Sequence, residues 1–126
     1  MEKPNLNIGI GREPEPLTTE DVVVIDVMAG EQKNKQNVVV GDKITLICEH
    51  PKAKKYLEIS KVQYVKNKKI KEAGMWYQLD DEGFIPFTSA LANLLRFYKV
   101  ATPEEIKGKV LHTTKDDEGF LVIKAL

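Results

Sequence analysis

The stretch Tyr56-Leu57-Glu58-Ile59-Ser60-Lys61-Val62-Gln63-Tyr64-Val65 alternates apolar and polar residues, but the parity of its apolar positions changes half-way along. Leu57 and Ile59 fall on one side of an extended chain, Val62 and Tyr64 on the other. Strand side chains alternate with a period of two, so keeping both pairs inward requires a bulge or sharp coil near Ser60. A bend of that kind lets a small sheet curl. The residues upstream supply further strands. Val22, Val23, Val24, Ile25 and Val27 form a β-branched run that reads as a central strand ending near Gly30. Residues 31–37 read as a polar turn, 38–40 as a short strand entering a turn at Gly41-Asp42, and Ile44, Leu46 and Cys48 alternate with Thr45, Ile47 and Glu49. Downstream, Lys66-Asn67-Lys68-Lys69 reads as a hairpin turn, followed by a return strand over residues 70–79 with Gly74 at a kink.

One helix is predicted, capped by Thr88 or Ser89, with Leu91, Leu94, Leu95 and Tyr98 on the stripe that faces the core. Thr102, Pro103 and Glu105 announce a second, one-turn helix that Gly108 stops, and the chain closes with a hairpin over residues 109–125. The fold class is therefore mainly β, with one main α-helix and a short second helical turn. A chain of 126 residues, 42% hydrophobic and 30% charged, suits a single folded domain. Pro4, Gly9, Gly11, Pro14 and Pro16 mark residues 1–20 as a flexible N-terminal arm and leave 21–126 as the domain. No apolar run approaches the roughly 20 residues of a membrane helix, and the N-terminus lacks an apolar signal core, so the expectation is a cytoplasmic protein with no membrane partner.

Equal numbers of basic and acidic residues, 19 of each, hide an uneven distribution. Residues 1–49 hold five basic and nine acidic side chains, residues 50–75 eight and two, and residues 76–126 six and eight. The middle block alone is strongly positive. Local potential attracts a polyanion whatever the net charge, and in this block Lys52, Lys54, Lys55, Lys61, Lys66, Lys68, Lys69 and Lys71 interleave with Tyr56 and Tyr64 and precede Trp76 and Tyr77. Cations that follow a backbone and rings that stack on bases are the ingredients of a single-strand-binding surface. Trp76 and Tyr77 point to opposite faces of a strand, so only one is inside. Phe84, Phe97 and Phe120 read as core.

Parts for catalysis are missing. His50 and His112 have no local zinc-ligand partner, no phosphate-binding Gly-Lys-Ser/Thr loop exists, and Gly9-Ile10-Gly11 sits in the arm instead of between a strand and a helix. Cys48 alternates with Ile44 and Leu46, as a buried structural residue does. Asp80-Asp81-Glu82-Gly83-Phe84 recurs as Asp116-Asp117-Glu118-Gly119-Phe120, which reads as two independent turns with glycine at positive φ and without the ligand spacing of a calcium loop. The reading is a non-enzyme without metal or cofactor.

Strand, coiled strand, basic hairpin, helix and final hairpin, together with Ser89-Ala90-Leu91 through Leu95, Ile106-Lys107-Gly108-Lys109-Val110 and Gly119-Phe120-Leu121-Val122-Ile123, give the chain a pattern over residues 21–126. It resembles the OB-fold single-stranded DNA-binding proteins of small phage or viral type. The resemblance implies a β-barrel, single-stranded DNA as ligand and contacts from the lysines and aromatics of residues 52–77. The chain departs from that family in its arginines, which occur only at Arg12 and Arg96. Two other readings use the same residues: a protein-interaction module that docks an acidic partner on the lysines or adds a strand at Val38–Val40, and a winged-helix duplex binder built from residues 91–106 and 109–125.

Overall fold

The computed structural model describes residues 5–11 and 17–126. In chain order the elements are β1 (Val22–Lys33), β2 (Val39–Glu49), β3 (Leu57–Ile59), β4 (Lys61–Lys66), β5 (Lys69–Gly74), β6 (Trp76–Tyr77), α1 (Ala90–Phe97), a 3-10 turn (Pro103–Ile106), β7 (Val110–Lys115) and β8 (Leu121–Ala125). The molecule is mainly β with one helix. Hydrogen bonding runs β3-β2-β1-β7-β8-β4-β5, with β6 on β2. The path has two ends, β3 and β5, so the sheet is not closed. All pairs are antiparallel except β4 with β8, where Val62 lies opposite Ile123.

The parity change at Ser60 is resolved as its chemistry demands. Ser60 separates β3 from β4, and Ile59, Val62 and Tyr64 are all buried. The Ser60 carbonyl, left outside both ladders, accepts from the Met75 amide at 2.9 Å, so the break leaves that acceptor paired. The return strand differs from the sequence reading. It breaks at buried Met75, whose carbonyl accepts from Ile44 N at 2.8 Å, and Trp76–Tyr77 leave the hairpin to pair with β2. Met75 keeps the inward parity of Ala73, which lies opposite buried Val62, so its side chain stays in the core while its amide bonds Ser60 and its carbonyl bonds β2.

Two boundaries also move. β1 continues past Gly30 to Lys33, and β2 starts at Val39 and runs through Gly41, whose φ of +141° is accommodated within the strand. The turn between them is made by Asn34, whose side-chain oxygen accepts from Gln36 N and Val38 N at 2.9 and 3.1 Å, with Asn37 at φ +62°. In the basic hairpin, Asn67 and Lys68 both have positive φ, the type I′ geometry that matches strand twist.

The core gathers Val22 and Val24 from β1, Ile44, Leu46 and Cys48 from β2, Ile59, Val62 and Tyr64 from β3 and β4, Leu91, Leu94 and Leu95 from α1, and Leu111 and Ile123 from β7 and β8. Ser89 caps α1, its hydroxyl accepting from Ala92 N at 3.1 Å. Tyr98 locks the other end: its phenol donates to the Lys124 carbonyl at 2.5 Å and accepts from His112 N at 2.9 Å. The second helical element is a 3-10 turn. Thr102 makes no side-chain cap bond, and the Glu105 carboxylate accepts from Ala101 N at 3.1 Å.

The repeated acidic phrase forms two matching turns. Asp80 Oδ1 accepts from Glu82 N and Phe84 N at 3.0 and 2.9 Å; Asp116 Oδ1 accepts from Glu118 N and Phe120 N at 2.9 Å each; Gly83 and Gly119 have φ of +85° and +87°. This geometry overturns the core reading of the phenylalanines. Phe84 and Phe120 end a tight turn, each two-thirds exposed, and Phe97 lies off the buried stripe of α1. The turn satisfies its own backbone groups through aspartate, so nothing draws the following ring inward.

Candidate nucleic-acid interface

The register of β6 on β2 decides the orientation of the only tryptophan. Lys43 lies opposite Trp76 and Asp42 opposite Tyr77. Cross-strand partners share a face, and since Ile44, Leu46 and Cys48 point inward, Lys43 and Trp76 point outward. Trp76 is 38% exposed, whereas Tyr77 packs half-buried against the core. The indole lies between two glycines. A Cβ placed on Gly41 would stand 3.7 Å from Trp76 Cε3, and one on Gly74 would stand 3.3 Å from Trp76 Nε1. The Lys43 chain crosses Gly74 so closely that the same Cβ would meet Lys43 Cε at 2.6 Å, and its ammonium stands 5.4 Å from the indole centroid. The Gln78 side-chain nitrogen covers Gly41, 2.9 Å from the Cβ position.

Lys61 completes the cluster, lying opposite Gly74 in the β4–β5 register. Burial, and then the Lys61 ammonium, holds the Lys43 ammonium below the ordinary lysine range. Among the described residues neither Lys43 nor Lys61 has a carboxylate partner. Two unpaired cations beside a partly exposed indole on a strand face form an anion-seeking, ring-bearing surface.

The other residues singled out by sequence fall in separate places. Lys52, Lys54, Lys55 and Tyr56 belong to the loop between β2 and β3, at the opposite end of the β3–β4 run from the hairpin tip that carries Lys66, Lys68, Lys69 and Lys71. Lys52 is committed to Glu20 at 3.0 Å. The loop itself is built on His50, which is buried: its Nδ1 accepts from Lys52 N at 3.0 Å, which leaves Nε2 to donate to the Thr18 carbonyl at 2.7 Å. At the tip, Lys71 lies opposite Tyr64 and Lys69 opposite Lys66, so these lysines share the face that begins in the core, while Lys61 is on the reverse face. Tyr64, a proposed stacking residue, is a correction: it is only 7% exposed and has no free ring face. Of the four aromatic candidates, Tyr56 and Trp76 offer an exposed ring.

Sequence reasoning missed Lys43, Gly41, Gly74 and Gln78 as parts of one surface. The outward parity of Lys43 was readable, but its partner was not, because the break at Met75 brings Trp76 to β2. Cys48 is buried, its thiol pushed up to about 12 by that burial. His112 Nδ1 bonds Asp21 at 2.7 Å on the surface. Among the described residues no three His, Cys, Asp or Glu side chains are grouped to hold a metal, and no helix is long and apolar enough to cross a membrane. Compared with known proteins, the chain matches no family model, no curated sequence and no solved structure.

Proposed function

We propose that this chain binds single-stranded nucleic acid without catalysis, stacking a base on Trp76 and neutralising phosphates with Lys43, Lys61 and the hairpin lysines. The observation that carries this reading is the outward indole flanked by two lysines that no carboxylate among the described residues neutralises. Stacking is indifferent to base identity, because every base has a π-face, and the phosphate term follows charge; the predicted binding is therefore sequence-tolerant.

Connectivity supports an OB-like barrel as the scaffold. If β3 and β4 are counted as one strand bent at Ser60, the pairings β1–β2, β2–β3, β4–β8, β8–β7 and β7–β1 return to their starting point. In barrels of that type oligonucleotides lie across the second and third strands and against the loops that follow the first and fourth. The corresponding places here are the outer face of β2 and β4 with Lys43 and Lys61, the turn containing Lys35, and the Asp116 turn with its exposed Phe120. The 3-10 turn that follows α1 is four residues long, too short for a recognition helix, which removes the support for duplex reading by a winged helix.

Titration of a fluorescent oligo-dT at about 50 mM salt tests the proposal: binding is expected, with log affinity falling linearly as log salt rises. No binding at that ionic strength would remove it. Exposed Val38, Val39 and Val40 favour a second reading, a protein partner docked on the β1–β2 hairpin. Its mark is a complex with a partner that survives nuclease treatment.

A further inference from the structure

The two sides of the sheet separate where β3 and the start of β8 face each other. β4 pairs with β8 from Val62 opposite Ile123 to Tyr64 opposite Ala125, but that ladder does not extend to Leu121 or Val122, and among the described residues β3 pairs only with β2. Between them lies a groove of about 450 Å³ whose apolar lining is Leu57, Ile59, Phe120, Leu121, Val122 and Leu17, with Glu58, Lys61 and Asp116 also contributing to its walls. An apolar groove between incompletely paired strand edges is a template for one more strand.

The chain has a segment of the matching chemistry that its own fold does not use. Within residues 5–11, Leu6, Ile8 and Ile10 alternate with Asn7 and Gly9; there is no charge and no proline, so every backbone N–H is free to join a ladder. Leu6, Ile8 and Ile10 are the most exposed large hydrophobic residues described, at 90%, 76% and 104%. The segment pairs with no strand, although Leu17, a few residues on, already lines the groove. Among the described residues of one chain, then, strand and groove both stay unsatisfied.

We propose that the groove takes the Leu6-to-Ile10 strand of a second copy, and that two chains exchange these strands reciprocally. Exchange of identical segments between identical grooves closes on itself as a two-fold dimer, with no surplus edge left to propagate. Phe120, exposed in the single chain, then covers the inserted strand.

Light scattering after gel filtration of the full chain at about 100 μM tests this directly, because self-association follows mass action. The expected mass is twice the 14.2 kDa of one chain. Changing Leu6, Ile8 and Ile10 together to Asn removes the apolar strand at positions that contribute nothing to the core, and Phe120→Glu charges the groove at an exposed residue. Each variant alone is expected to run as a monomer. Mixed, they regain one strand–groove contact, so a species of doubled mass containing both should form. A monomeric parent chain, a dimer that persists in the triple variant, or mixing that restores nothing would each overturn the exchange. So would a monomer whose residue 5–11 amides resist hydrogen exchange, since that places the strand in its own groove.

Discussion

At the residue scale, Trp76 and Tyr77 are neighbours with opposite fates. Alternation guarantees that they part, and the β6–β2 register decides which goes outward. If Trp76 is a stacking surface, Trp76→Ala should lose roughly 1–3 kcal/mol of oligonucleotide binding with an unchanged salt slope, since no charge is removed. Its thermal midpoint should fall well short of what losing a core tryptophan, about 3–5 kcal/mol, would produce. Gly74→Ala is the subtler partner. Its added Cβ meets the flexible end of Lys43, at 2.6 Å from Cε and 2.9 Å from Nζ, and stands 3.3 Å from Trp76 Nε1, so the lysine must move and the indole must give slightly while the backbone stays. Indole fluorescence should change and affinity fall, with stability nearly kept. An equal loss of stability and binding in both variants would mean that the indole serves the fold.

At the scale of elements, the β4–β5 hairpin separates charge from stacking. Lys66, Lys68, Lys69 and Lys71 are exposed and have no carboxylate partner among the described residues. Exposed lysines of this kind add little to stability. Changing all four to Gln should leave the melt unchanged and reduce the salt slope by up to about four times 0.7 if all four contact phosphates. Because Lys69 and Lys71 share the core-side face and Lys61 sits on the reverse face, a smaller drop is expected if the strand follows Trp76 alone. An unaltered slope with binding retained would place the phosphate path off the hairpin, on Lys43 and Lys61. The hairpin's own shape was legible in the sequence, because Asn67 in a two-residue turn between strands favours positive φ. The division of its lysines between two faces was not, since that follows from which parity the core selects.

At the scale of the whole molecule, the distal β1–β2 hairpin stands apart from the body. Every residue from 28 to 40 is exposed, so this segment is held by its ladder and its Asn34 turn without core packing. Hydrogen exchange should therefore be fast over residues 29–40 and slow at Val24, Leu46 and Val62, with the boundary near Gly30 and Lys43. Bound oligonucleotide should slow exchange on the Lys43 side of that boundary. Uniform protection across β1 and β2 in the free protein would show that something else packs on the hairpin.

Local chemistry alone determined a good deal of this protein. The break at Ser60 follows from apolar parity, the cap of α1 from Ser89, and the paired turns from aspartate and glycine at fixed spacing; each concerns atoms a few residues apart, so the sequence contains the whole interaction. The tertiary structure alone decided three things. It broke the return strand at Met75, whose amide bonds Ser60 and whose carbonyl bonds Ile44, partners that only the packed fold brings together. It put Phe84 and Phe120 outside, each at the end of a turn closed by its own aspartate, while the core is built from residues of the strands and α1. And it set Lys43, Lys61, Gly74 and Trp76 side by side from four strands, where the contact depends on register, which no local pattern encodes.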